Sequence, residues 1–365
     1  MAAPGTAPSS LDTPLQTYGQ NGKKLSFANW ISNISPEDTP FVSMTGKESI
    51  DQTLFSWQTD SLAPASAANA QPEGFIADYA KLAPTTTIQN VTQLLAKTVS
   101  VSDTANATAN YGRGRELMYQ LEKAGAEIKR DLEAVFLNNG NAQTGNTTAD
   151  SDAVGVRKTG GVKALIGRDS TSGLTNEFGK GKVNDGQKPS DDFQVVTRKT
   201  VTSTVNAAGA AFEAEIDGRF EDDLFELTQA LYTVGAKANV IMVHPSMARR
   251  FSSLQSKVET KAGSTTVGGA TRVRMFENRK DIVLQVNTLT DHVGQTFKVV
   301  YNRYMPVHAV FIFNTADWTQ MVLRAPQRTE LAKNGDSTQY MITMECGLRH
   351  RNPYASAWLE YLPKP

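Results

Sequence analysis

The stretch ISPEDTPFVSMTGKESIDQTLFSWQTDSLAPASAANAQPEG runs from Ile34 to Gly74, and ELMYQLEKAGAEIKRDLEAVFLNN runs from Glu116 to Asn139. Pro36 and Pro40 bias the residues before them toward extended geometry, so the first stretch opens as a stiff arm. Thr53, Phe55, Trp57 and Thr59 then alternate with Leu54, Ser56 and Gln58, the period of a strand. A second strand-like region, TTTIQNVTQLLAKTVSVS, covers Thr85 to Ser102, with Val99 and Val101 on one face. Roughly two dozen residues dominated by Ala, Ser, Pro and Asn separate the two, and connections of that length are usually functional or disordered. The tip is expected to reach outward. An isolated two-stranded ribbon is marginal in water, so the pattern predicts a ribbon whose partner is another copy of the chain.

The second stretch is a helix. Leu117, Leu121, Ala124, Ile128, Leu132 and Val135 recur at steps of three and four and form one apolar stripe. Glu122, Lys123, Glu127, Lys129, Arg130, Asp131 and Glu133 occupy the remaining surface. About 23 residues at ~1.5 Å rise make a rod of roughly 35 Å. Asn138, Asn139 and Gly140 supply the stop. Amphipathic helices pack on sheets in many folds; what informs here is the length and the position directly after the ribbon.

At 365 residues the chain exceeds the size at which one core stops growing, so more than one subdomain is expected. A hydrophobic content of 39% supplies a real core. Lys plus Arg and Asp plus Glu are 37 each, which carries no polyanion-binding signal overall. Cys346 alone cannot form an intrachain disulfide and suits a reducing compartment. No apolar run reaches the roughly 20 residues of a membrane span, and MAAPGTAPSSLDTP has neither the basic nor the apolar region of a secretory signal.

Residues 1–24 are rich in Pro, Ser, Gly and Thr and read as an extended arm, followed by LSFANWISNI with one or two helical turns. The Gly167–Gly218 stretch reads as a surface insertion holding at most a hairpin, FQVVTRKTVTSTV. Phe220, Leu224, Leu227, Leu231 and Val234 form a second helical stripe that stops near Gly235. NVIMV is a buried strand, and His244-Pro245-Ser246 opens a further helix through about Ser256. From Thr271 the pattern is β: RVRMF, DIVLQV, FKVVY, HAVFIF and WTQMVLR. In the last strand Tyr340, Ile342, Met344, Cys346 and Leu348 point one way, and Thr343, Glu345, Arg349 and Arg351 the other.

A search for reactive chemistry returns nothing convergent. His244, His292, His308 and His350 lack metal-ligand spacing, and one cysteine cannot build a usual zinc site. GNAQTGNT at Gly140–Thr147 nearly copies a phosphate loop, but Asn146 stands where the lysine must be. There is no G-x-S-x-G elbow. His244 reads as a capping or packing residue and Cys346 as a core thiol. Asp191-Asp192 reads as loop solvation, and Asp222-Asp223 as acids near a helix start. Arg249-Arg250, Arg272 with Arg274, and Arg349 with Arg351 lack interleaved aromatics and read as solvated faces or subunit contacts.

Four blocks carry a resemblance: ISPEDTPFVSM (Ile34–Met44), FSWQTDSLAPASAANAQPEG (Phe55–Gly74), YQLEKAGAEIKRDLEAVFLNN (Tyr119–Asn139) and TELAKNGDSTQYMITMECGLRHRNPYASA (Thr329–Ala357). They resemble tailed-bacteriophage major capsid proteins, in particular the SU10-type family with the HK97-like fold. The resemblance implies an α+β chain in four parts. These are an N-terminal arm (1–48), an extended hairpin loop (49–105), a peripheral domain (106–165 plus 321–365) with a spine helix at 115–138, and an axial domain (166–320) that includes the 167–218 insertion. It implies self-assembly into hexamers and pentamers of an icosahedral head around double-stranded DNA, contacted non-specifically on the inner surface. Portal and scaffolding or cement proteins are the further partners implied, with assembly in the bacterial host cytoplasm, residence in the virion, and no membrane. Catalytic, metal-binding and cofactor-binding residues are expected to be absent.

Candidate inter-subunit contacts are Pro36, Pro40, Phe41, Phe55, Trp57, Asp60 and Glu73; the spine-helix core is Leu117, Leu121, Ile128, Leu132 and Val135. Some capsids of this fold cross-link through lysine and asparagine. Lys47, Lys81 and Lys97 lie in or beside the loop, but no residue marks a catalytic acid, so that chemistry is not carried over. An encapsulin-like compartment of the same fold is the alternative, and a soluble α/β enzyme a more distant one.

Overall fold

In the computed structural model, which describes residues 38–60, 62, 65–76, 79, 85–110, 114–144, 155–166, 198–202, 210–253, 286–333 and 335–363, the chain enters through helix α1 (Pro40–Met44) and strand β1 (Gly46–Ser49). A ribbon follows, β2 (Leu54–Thr59) and β3 (Thr86–Val91), then β4 (Gln93–Ser102), the short α2 (Asp103–Ala107) and the spine helix α3 (Glu116–Asn138). Next come α4 (Val162–Leu165), β5 (Arg198–Thr202), α5 (Ala210–Val234), β6 (Val240–Val243) and α6 (Ala248–Ser253). The chain continues with β7 (Thr288–Thr290), β8 (Thr296–Tyr301), β9 (Ala309–Phe313), β10 (Trp318–Glu330), β11 (Ser337–His350) and β12 (Ala357–Leu362). The arm before Asp38 with Pro36, LSFANWISNI, Lys81, Asp191-Asp192, RVRMF and most of DIVLQV lie outside the described residues.

Three sheets organise these elements: β1-β10-β11-β4, β5-β12-β9-β6-β8-β7, and the ribbon β2-β3. The six-stranded sheet is covered on both faces. Val240, Met242, Phe311, Phe313 and Trp358 join a cluster with α1, α3 and α4, while Ile241, Val243, Val310, Ile312 and Leu359 meet α5 and α6. Double coverage is why VIMV and AVFIF are apolar at every position instead of alternating.

On α3 the stripe Leu121, Ala124, Ile128 and Leu132 is buried, Val135 is partly buried against the core, and Leu117 is half-buried near the start. The buried face widens toward the C-terminal end, where Phe136 and Leu137 are also inside. Glu133, expected on the solvent side, is fully buried there. Its carboxylate accepts the Phe41 N–H at 2.8 Å, the Val42 N–H at 2.7 Å and an Asn302 amide N–H at 2.5 Å. Desolvation raises the carboxyl above its ordinary range, and the three hydrogen bonds oppose that rise. Around it Phe41 meets Phe136, Phe311, Phe313 and Trp318 with ring centroids 5.7–6.3 Å apart.

Several expectations are corrected. Residue Thr39 is not helical, as a residue before proline should be, but Pro40 then opens a helix because a missing N–H costs nothing in a first turn. The Thr85–Ser102 run is two strands broken at Thr92: the first half completes the ribbon and the second joins β11 in a different sheet. FQVVTRKTVTSTV is not a hairpin across its described part, because β5 runs parallel to β12. The insertion read as ending at Gly218 ends by Ala210, where α5 begins; Gly218 sits on that helix's exposed face, where glycine costs about 1 kcal/mol against alanine. Asp222 and Asp223 are therefore mid-helix, and buried Asp223 accepts from Tyr361 Oη at 2.9 Å and pairs with Lys199 at 2.9 Å. Placing all of 321–365 with the spine helix also fails at its end: β12 pairs with β5 and β9.

His350, the last residue of β11, ties that strand to α4 and to the segment before β12. Its ring stacks on Trp318 at 4.0 Å, Nδ1 lies 3.0 Å from the Leu165 carbonyl, and Nε2 lies 2.9 Å from Ser356 Oγ, which itself accepts from Trp318 Nε1. Complete burial pushes its pKa down to about 4.

Two tests follow from this packing. Ile128→Asp places an unpaired carboxylate in the core and should lower stability by more than about 3 kcal/mol, read as a shift of the urea midpoint; an unchanged midpoint would remove Ile128 from the core. For His350, the native ring refuses the proton that the unfolded chain takes up below about pH 6.5. Its contribution is whole above that pH and is lost as pH falls toward 4, at up to ~1.4 kcal/mol per pH unit. His350→Gln should therefore flatten stability against pH between 6.5 and 4, and an identical acid limb would refute the assignment.

Candidate assembly surfaces

The ribbon has a fixed base and an open tip. β2 and β3 pair in register from Leu54↔Val91 to Thr59↔Thr86. At the base, Phe55, Ile88 and Val91 are buried in the chain's own core. Phe55 fits over Gly347 so closely that an added Cβ would lie 2.6 Å and 2.8 Å from its ring carbons and 3.0 Å from the Val91 carbonyl oxygen. Asn90, almost fully buried, donates to the Leu348 carbonyl at 2.6 Å and accepts from the Gly160 N–H at 2.9 Å and the Val91 N–H at 2.8 Å.

Thr92, the residue between ribbon and sheet, donates its N–H to Thr53 O at 2.8 Å and its hydroxyl to Glu345 Oε1 at 2.8 Å. Glu345 is buried on the strand face expected to be solvated. It is tolerated because Arg157 reaches Oε1 at 2.5 Å and Arg324 reaches Oε2 at 2.9 Å and 3.0 Å. One carboxylate thus ties the ribbon's junction to β10, β11 and the segment before α4.

Beyond Trp57, which is half-buried and stacks on Phe55 at 6.0 Å, the chain opens to solvent. Leu62 is 90%, Ile76 93% and Tyr79 91% exposed, with Phe75 half-exposed beside them. Four exposed apolar side chains thus fall within residues 62–79, where isolated ones would be ordinary.

The candidate contacts separate on this geometry. Phe41 is fully buried and Phe55 nearly so, and neither has surface to offer a neighbour; both are internal anchors. Pro40 and Trp57 are half-buried, while Asp60 and Glu73 are exposed on the ribbon and its loop. Composition flagged the loop but not its apolar residues, and the polar base of Asn90, Thr92, Glu345 and Gly347 was missed. The one available signal was the lapse of alternation at Asn90-Val91-Thr92.

Elsewhere, His244 accepts from the Ser246 N–H at 3.2 Å and starts the turn before α6. Cys346 lies in the core with its thiol pushed up to about 12 by desolvation. Arg250 pairs with Glu213 and Asp217, and Arg349 with Glu48 at 2.7 Å. Among the described residues no group of His, Cys, Asp and Glu has metal-holding geometry, and no helix is long and apolar enough to cross a membrane.

The family model for the SU10 major capsid protein matches residues 8–363. The chain is 50% identical over 357 residues to the major capsid protein of Escherichia phage Phieco32, covering 94% of this chain and 95% of that one. Its fold is similar to the capsid of a native GTA particle (TM-score 0.57, 11% identity, 94% of this chain and 97% of that one). It is also similar to the capsid of cyanophage P-SCSP1u (TM-score 0.52, 11% identity, 98% and 99%). The chain, whose anchored ribbon and doubly covered sheet are built as described above, belongs to the SU10 major capsid protein family and has the HK97-like capsid fold.

Proposed function

We propose that this capsid subunit closes hexamers and pentamers of an icosahedral phage head by laying its loop tip on a neighbouring copy. The observation that carries this reading is the contrast within the ribbon: a base fastened by Phe55, Asn90 and Thr92, and a tip presenting Leu62, Phe75, Ile76 and Tyr79 to solvent. A fixed lever with an apolar end delivers binding surface at a set angle, which lowers the ordering cost of association. The work of the chain is mechanical, without catalysis. Packaged double-stranded DNA meets the inner surface through non-specific backbone contacts, made by local Lys and Arg side chains since the overall charge is balanced. Portal and scaffolding or cement proteins complete the particle in the bacterial host cytoplasm, and the 167–218 stretch, apart from β5 and α5, offers an accessory platform. The four-part division into arm, loop, peripheral and axial domains stands in this reading with β12 moved to the axial sheet.

Changing Leu62, Phe75, Ile76 and Tyr79 together to Ser should leave the subunit folded by circular dichroism but abolish or destabilise shells in electron micrographs; normal shells of normal stability would overturn the bridging role. Gly347→Ala pushes on the Phe55 ring and the β3 backbone, and should destabilise the subunit by about 1–3 kcal/mol. A neutral result in a denaturation series would show that the ribbon base is slack.

A further inference from the structure

Among the described residues no further strand pairs with either edge of the four-stranded sheet, and the two edges are built differently. On one side β1 covers β10 only from Thr319 to Val322, leaving Arg324–Glu330 open. That open length carries Pro326, two breaks in register and the exposed cations Arg324 and Arg328. Proline, bulges and charge are the devices by which natural sheets refuse a further strand.

The other edge, β4, has none of them. Its ten residues pair with β11 in unbroken register from Gln93↔Cys346 to Ser102↔Ser337, without proline or bulge. Its one charge, Lys97, is held toward the spine helix by Asp131 at 2.8 Å and Glu127 at 3.9 Å. In an antiparallel pair about half the residues of an edge strand turn their N–H and C=O groups away from the partner. β4 also borders a groove of about 430 Å³. Consecutive residues Lys97–Ser102 form one wall, and Glu116, Gln120, Lys123 and Glu127 of α3 the other. A slot with a strand edge on one side and a helix on the other admits a single extended chain. Six residues along it span roughly 20 Å.

The occupant must be extended, nearly uncharged and tethered within reach. The sequence of residues 1–22 suits those conditions: Asp12 is their one charged side chain, and prolines at 4, 8 and 14 disfavour helix. Residues 1–37 join the described chain at α1, which is fastened to Glu133 on the same helix that walls the groove. From Glu133 to Gln120 the helix rises only ~20 Å, whereas 37 extended residues reach ~120 Å. The segment therefore has length to spare, for its own groove or a neighbour's.

We propose that a stretch of residues 1–37 adds a strand to the free edge of β4, in the groove beneath the N-terminal half of the spine helix. The attachment uses main-chain hydrogen bonds, so it depends on extended, uncharged backbone more than on particular side chains. It is independent of the loop-tip contact proposed above, because it uses a different edge and a different segment.

The test is made in assembled particles of the full chain. A photoreactive p-benzoylphenylalanine replaces Thr98, an exposed β4 residue lining the groove, and cross-linked peptides are identified by mass spectrometry in shells mixed from light and heavy isotope-labelled subunits. Cross-links into residues 1–37 are expected, and the isotope pattern names the donor copy. Cross-links solely to loop residues 60–85, to another protein, or to nothing would overturn the proposal. Hydrogen exchange gives a second reading: amides of Lys97–Ser102 should exchange roughly tenfold faster or more in particles lacking residues 1–37. Unchanged protection in such particles would overturn it equally, whereas normal assembly of the loop-tip variant would overturn the loop-tip contact alone.

Discussion

The Glu133 carboxylate is the constraint on which the arrangement turns. It sits without solvent at the point where α1, the spine helix and the loop after β8 converge, and a buried charge is tolerable only when its acceptor positions are filled. Two first-turn amides of α1 and the Asn302 amide fill them. The arm's entry into the subunit, the orientation of the helix and the position of the six-stranded sheet are thereby set by one side chain. Phe41 follows from this: with its amide held by Glu133, its ring has one place to go, among Phe136, Phe311, Phe313 and Trp318.

A second carboxylate plays the corresponding part at the ribbon. Glu345 gathers Thr92, Arg157 and Arg324, and so fixes the residue at which the chain leaves one sheet and enters another. The two acids divide the subunit's labour: one seats the arm, the other sets the angle of the lever. Both are buried where their hydrogen bonds hold neighbouring segments in position.

Much of this was legible in the sequence, and the failures have physical causes. The α3 stripe could be read because one face of a long helix is apolar, and β2 because its alternation is clean. Glu133 and Glu345 could not be read, since a sequence shows that a residue is charged but not that partners distant in the chain will neutralise it. Phe41 looked like an exposed arm residue because its neighbours are prolines, while its pocket is built from residues nearly 100 to more than 270 positions later. Gly218 looked like a boundary because glycine usually marks one, although an exposed helix face can carry it. Thr92 looked like mid-strand because β3 and β4 are contiguous and only their partners differ.

The place of β12 has a consequence for synthesis. In the six-stranded sheet β12 lies between β5 and β9, so β5 has no strand to pair with until Ala357–Leu362 has been made, roughly 160 residues later. A chain truncated before Ala357 lacks the strand that joins β5 to β9, so its six-stranded sheet cannot close. Completion of the sheet is therefore a late event, set by the last residues of the fold rather than by the helix that dominates its first half.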